Sequence, residues 1–138
     1  AMKELTLPAV PENLYAVTAF VGDALKEYRC PGETAAAVQV AVEEIFVNIA
    51  NYAYSPGVGS ATVRCVVNRE PLSVTIRFSD SGRPYNPLAR SDPDTSLPVE
   101  ARPIGGLGVY IVKKSMDSVV YEYKDGKNVL TIKKKIGV

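Results

Sequence analysis

Apolar residues recur at helical spacing through Leu14, Val17, Val21, Ala24, Leu25 and Tyr28, a pattern that predicts a helix starting at Pro11-Glu12-Asn13 and broken by Pro31-Gly32. Ahead of it, Leu5-Thr6-Leu7 is a short strand-like stretch ended by Pro8. A second helix, rich in Ala and Val, is predicted from about Glu33 to Ala53, where Ser55-Pro56-Gly57 stops it. Two strand patterns follow, Ala61 to Asn68 and Leu72 to Ser79, joined by a turn at Arg69-Glu70-Pro71. Asp80-Ser81-Gly82 then begins an irregular stretch to Ile104 that carries five of the ten prolines. So long a loop in a small domain points to a functional lid. Gly105 to Gly108 opens a third helix to about Met116, and Ser118–Tyr123 with Asn128–Lys135 form a hairpin around Asp125-Gly126.

This order, β-α-α-β-β-loop-α-β-β, predicts an α+β fold: a two-layer α/β sandwich with helices on one face of a mixed, mostly antiparallel sheet. At 138 residues the chain is one domain, residues 2–138, with Ala1 before Met2 reading as a tag-removal scar. The 46% apolar and 22% charged fractions exclude disordered classes. Sixteen basic and fifteen acidic residues leave +1, which gives no bulk-charge reason to expect direct nucleic-acid binding or an anionic membrane. No apolar run approaches the roughly 20 residues of a membrane span. Cys30 and Cys65 are too few for a disulfide framework, so free thiols in a reducing cytoplasm are expected. The chain has no histidine, which removes His-based triads, His–metal sites and a phosphohistidine relay within it. Its chemistry is left to carboxylates, amides, backbone groups and a metal held by oxygens.

Three places could carry that chemistry. On the second helix, Val38, Val42, Ile45 and Ile49 share one face, while Glu44, Asn48 and Asn51 form a polar stripe flanked by Ala37, Val40 and Val47. A carboxylate and two amides among apolar neighbours need partners or a ligand. A polar helix edge with satisfied amides is the plainer alternative. Asp80-Ser81-Gly82 puts an acid at the end of an apolar strand beside a glycine that permits close approach, although the same pattern is a common turn signal. Gly105-Gly106-Leu107-Gly108 leads directly into a helix, where backbone N–H groups and the helix dipole favour a phosphate; a flexible helix start would look the same. It is neither a Walker A sequence nor a G-x-G-x-x-G after a strand.

Taken in order, Glu44-x-x-x-Asn48, Asp80-x-Gly82, a long lid and Gly106-x-Gly108 resemble the GHKL ATPases with their Bergerat (histidine kinase-like ATPase) fold. Within that superfamily the chain is most similar to the bacterial anti-sigma-factor serine/threonine kinases. Val42-Glu43-Glu44 through Asn48 to Asn51-Tyr52-Ala53-Tyr54 resembles their N box. Gly105 to Val112, followed by Met116-Asp117, resembles their second glycine box and its exit. The likeness covers nearly the whole chain.

The resemblance implies ATP and Mg²⁺ as cofactors. It makes Asn48 the Mg²⁺ ligand, Glu44 the general base towards an acceptor serine, and Asp80 the acceptor from the adenine amine, with Gly82 shaping that pocket. Gly106, Leu107 and Gly108 would meet the phosphates, Asn51 would line the phosphate side, and Thr131 would close the adenine pocket. Arg83, Arg90 and Arg102 are the cations in or near the lid, either solvated or, for one of them, reaching the γ-phosphate. The implied function is phosphorylation of an anti-sigma-factor antagonist and sequestration of a sigma factor by a cytoplasmic homodimer. Apolar lid residues Leu88, Leu97, Val99 and Ile104 would receive the antagonist. A non-catalytic ATP-binding regulator and a detached histidine-kinase catalytic domain are the alternatives. The chain departs from several relatives in having Tyr52 where they have a histidine, and its lid lacks a G-x-G of its own.

Overall fold

A computed structural model describes residues 2–89 and 107–136, with Leu107 described by its backbone alone. Strand β1 spans Met2–Pro8; a single 3₁₀ turn at Pro11–Asn13 leads into helix α1, Leu14–Glu27. Pro11 suits that first turn because its missing N–H would have had no helical partner. Helix α1 ends as Arg29 enters the left-handed region at φ 54°, with Cys30 N–H donating to Leu25 O (3.0 Å) and Arg29 N–H to Lys26 O (3.1 Å). Helix α2, Gly32–Asn48, follows at once and continues through a π turn over Ile49–Ala53. Strands β2 (Ser60–Arg69) and β3 (Leu72–Asp80), helix α3 (Leu107–Ser115), and strands β4 (Ser118–Lys124) and β5 (Lys127–Lys135) complete the described elements. The lid residues Arg90, Leu97, Val99, Arg102 and Ile104, and Gly105 and Gly106, lie outside the described residues.

The strands form one sheet in the order β1-β2-β3-β5-β4, and all four pairings are antiparallel. The mixed, mostly antiparallel sheet expected from the sequence is therefore antiparallel throughout its described strands. Alternation sends Val63, Cys65, Ile76, Phe78 and Ile132 inward, where Val17, Val21, Leu25, Val38, Val42 and Phe46 of the helices meet them. At roughly 1.5–3 kcal/mol for each large side chain buried, this contact is the main force holding the layers together. The opposite face carries Thr62, Arg64, Thr75, Arg77, Thr131 and Lys133, with Arg64, Arg77 and Thr131 in one register row across β2, β3 and β5 and Thr75 opposite Lys133. At the β4–β5 hairpin Asp125 and Gly126 both have positive φ (54° and 77°), the two-residue turn whose twist matches the strands it joins.

Two sets of contacts fix opposite ends of the sheet. The Tyr54 hydroxyl donates to Ser60 O (2.6 Å) and accepts from Ser81 N–H (2.7 Å), tying the end of α2 to the start of β2 and the exit of β3. Its ring lies where a Cβ on Gly59 would sit, 2.3 Å from the nearest ring carbon, so Gly59 is needed for this close approach. Asp117 closes the other side: its N–H donates to Lys133 O (2.9 Å) and its Oδ2 accepts from Lys135 N–H (2.7 Å), fastening the exit of α3 to β5.

Candidate functional site

Between α2, the exit of β3 and the start of α3 lies a cavity of about 550 Å³. Its inner wall is apolar, built from Ile45, Ile49, Phe78, Val112 and Leu130, and two of its polar places carry residues expected from the sequence. One is the stripe on α2, where Glu44 and Asn48 both face the cavity one turn apart. The other is Asp80, 6% exposed, at the last position of β3. A largely apolar cavity with convergent polar groups is the usual form of a small-molecule site.

The Asp80 carboxylate is held by its neighbours. Oδ1 accepts from Gly82 N–H (2.9 Å) and from Asn128 Nδ2 (2.9 Å), and among the described residues nothing donates to Oδ2. Gly82 cannot be any other residue here without rearrangement: a Cβ would lie 2.3 Å from Ala53 O. That carbonyl accepts from Arg83 N–H (3.0 Å), and the Arg83 guanidinium donates to Ser55 O, so the chain leaving β3 is strapped across the end of α2.

At the opposite end, α3 begins against Glu44. A Cβ on Gly108 would lie 1.9 Å from Glu44 Oε2 and 2.5 Å from its Cδ. The absence of a side chain at Gly108 is what lets the carboxylate rest on the first turn of α3. That is where helix N–H groups are unpaired and the dipole favours negative charge.

Glu44, Asn48, Asp80 and Gly108 are thus brought to one cavity, while Gly82 is off its lining and touches the site through its N–H bond to Asp80. Leu107 opens α3, and Gly106 lies outside the described residues. Two expected residues are elsewhere. Asn51 is exposed and off the cavity wall, because the π turn after Asn48 bonds i→i+5 and shifts the helical phase. Tyr52 and Ala53 reach the cavity in its place. Thr131 pairs with Arg77 and Val120 on the outward face of β5, whereas the inward positions of that strand are Asn128, Leu130 and Ile132. Strand alternation, applied from the buried Ile132, would have excluded it.

Sequence reasoning missed Asn128 and Tyr121. Asn128 lies directly across from Asp80 in the β3–β5 register, and Tyr121 on β4 donates its hydroxyl to Asn128 Oδ1. Burial raises the Tyr121 phenol above its ordinary value; the Tyr85 N–H opposes this, and the charges of Asp80 and Tyr123 add to it. Its proton is therefore retained for donation through neutral pH.

The described residues contain no group of three or more His, Cys, Asp or Glu side chains able to hold a metal ion. The donor set nevertheless suits Mg²⁺ in one form. Asn48 offers a neutral amide oxygen at the cavity wall, and Mg²⁺ commonly takes one or two protein oxygens with the remainder from phosphates and water.

Residues 7–134 match the histidine kinase-like ATPase domain family. The chain belongs to that family. Relatives of this ATPase domain include the serine-protein kinase RsbW of Bacillus cereus, 29% identical over 98 residues, or 70% of this chain and 61% of RsbW. The serine/threonine-protein kinase BtrW of Bordetella bronchiseptica is 26% identical over 90 residues, 65% of this chain and 63% of BtrW. The chain therefore spans less than two-thirds of the relatives it matches. Among solved structures, the RsbU and RsbW domains of a Mycobacterium tuberculosis protein superpose with TM-score 0.69 at 14% identity, over 99% of this chain and 32% of that one. The SiaB–SiaC complex from Pseudomonas aeruginosa gives 0.59 at 16% identity, over 94% of this chain and 88% of the matched chain. Both share the fold of this ATPase domain. No helix among its described residues is long and apolar enough to cross a membrane.

Proposed function

We propose that this ATPase domain is a Mg·ATP-dependent protein serine/threonine kinase that phosphorylates an anti-sigma-factor antagonist and, as a homodimer, also sequesters a sigma factor. The observation that carries the reading is the meeting of Glu44, Asn48, Asp80 and Gly108 around one slot of nucleoside size. Asp80 Oδ2, which has no donor among the described residues, accepts from the exocyclic amine of adenine, while Phe78, Ile49 and Leu130 cover the apolar faces of the base. The triphosphate then runs along α2 towards the start of α3. Asn48 would hold the divalent cation, which would supply neutralisation of phosphate charge. Phosphoryl transfer has a loose transition state, so positioning does most of the work. As the acceptor serine oxygen bonds to the γ-phosphorus and the bond to the β–γ bridging oxygen breaks, the hydroxyl proton passes to the Glu44 carboxylate, and ADP leaves.

The names of RsbW and BtrW as protein kinases support transfer to protein. Matching to the chain of a two-protein complex supports a protein partner. The test is incubation with Mg·ATP and candidate antagonist domains from the same genome neighbourhood, read by intact mass. One phosphoryl group should appear on a serine or threonine of one candidate and be absent with Glu44→Gln. ATP binding with no transfer to any candidate would leave a nucleotide-binding regulator instead.

A further inference from the structure

Asn128 is 8% exposed, and its side chain uses its full hydrogen-bonding capacity inside the protein. Nδ2 donates to Asp80 Oδ1 (2.9 Å) and to Arg83 O (2.8 Å). Oδ1 accepts from Tyr85 N–H (3.0 Å) and from the Tyr121 hydroxyl. Only one amide orientation satisfies this set, since a flipped amide would set its oxygen against a carboxylate and a carbonyl. Asn128 therefore has nothing left to offer a ligand, although it borders the cavity. It acts on Asp80: with Gly82 N–H, it takes up Oδ1 and prevents the carboxylate from turning.

We propose that Asn128 is a positioning residue that sets base selectivity, by clamping Asp80 so that the slot presents a fixed, acceptor-only oxygen. The inference rests on the nucleotide reading above and extends it to which purines are rejected. A 6-amino purine places a donor against that oxygen. A 6-oxo purine places a carbonyl there, and two acceptors facing each other in a buried slot are repelled with no water to separate them. Sites built around a specific hydrogen bond discriminate far more strongly than apolar pockets do. Freed from Asn128, the carboxylate can rotate or admit a water that serves either base, and the discrimination falls. The same amide binds Arg83 O and Tyr85 N–H, so base recognition and the strap leaving β3 share one anchor. Among the described residues, the charged and titratable groups around the slot are Asp80 on β3, Glu44 on α2, Arg83 and Tyr85 on the strap, Tyr52 on the π turn and Tyr121 on β4.

The experiment measures dissociation constants of Mg·ATP and Mg·ITP, the 6-oxo analogue, for the wild-type chain, Asn128→Ala and Tyr121→Phe. Thermal melts check folding. Wild type should favour ATP by about a hundredfold or more, an ordinary value for a polar site that rejects a mismatched group. Asn128→Ala should lose roughly tenfold or more in ATP affinity with ITP changed less than about threefold, so that the ratio collapses. Tyr121→Phe, which leaves Asn128 three of its partners, should move the ratio the same way by about threefold. A folded Asn128→Ala that weakens both nucleotides equally would reduce Asn128 to a packing role and overturn the inference. If that variant does not fold, an unchanged ratio in Tyr121→Phe overturns it equally. Wild type binding neither nucleotide would overturn the nucleotide reading itself, an outcome distinct from both.

Discussion

Gly108→Ala separates the chemistry of this site from its stability. The new Cβ would stand 1.9 Å from Glu44 Oε2, and ordinary contact begins near 3.4 Å, so the carboxylate must retreat by about 1.5 Å. The atom in the way is the far end of a flexible side chain, and its displacement costs about 0.5–1.5 kcal/mol in off-rotamer strain. Alanine returns about 0.5–1 kcal/mol of helix propensity relative to glycine. These offset each other, and the melting temperature should stay within about 4 °C of wild type. The catalytic consequence is larger, because a misplacement of about 1 Å in a reacting group can cost 10²-fold. Transfer to the antagonist should therefore fall by about 10²-fold, close to the loss expected for Glu44→Gln as a missing base. The double variant should be little worse than Glu44→Gln alone, since both changes remove the same group. Gly82→Ala is the contrast: its Cβ would meet Ala53 O at 2.3 Å, a backbone atom that cannot swing aside, and that variant should lose stability. Wild-type transfer by Gly108→Ala, or losses that multiply in the double variant, would refute the placement of Glu44 at the reacting oxygen.

Two further outcomes follow from other residues. Asn48→Ala should weaken nucleotide binding in Mg²⁺ by about tenfold yet change it little in chelator, a difference that calorimetry with and without the metal would read. Burial raises the Cys65 thiol to about 11, with the Lys3 charge opposing the shift. Its folded form stays neutral where the unfolded thiol ionises, so this stabilisation is present below about pH 9 and lost as pH rises towards about 11. The loss, at most about 2–3 kcal/mol, should appear as a falling melting temperature across that range. Cys65→Ala should flatten it.

The helix periods and the two strand pairs were legible because period and turn chemistry are local. Glu44 and Asn48 share a face by simple spacing, and Asp125-Gly126 specifies its hairpin turn without outside help. Asp80 was legible as a strand-end acid, but its partner was not. The bond from Asn128 joins residues 48 apart in sequence and depends on the β3–β5 register, which no local pattern declares. Asn51 was misplaced because no residue preference marks the change from α to π winding at Ile49. Thr131 came from family likeness alone, and the alternation of β5 puts it on the other face of the sheet. Tyr54 offered no signal either: its hydroxyl bridges two strand ends that meet only in the folded chain.

The measurement closest to the central claim is a calorimetric titration of Mg·ATP into wild type and Asp80→Asn at protein concentrations near 100 μM, which covers the micromolar affinities common for nucleotide substrates. Wild type should bind ATP and ADP. Asp80→Asn should bind both at least about threefold more weakly, because the acceptor that meets the adenine amine has lost its charge. Absence of heat with either nucleotide, or equal affinity in the two proteins, would contradict the assignment of this cavity as an adenine-nucleotide site centred on Asp80.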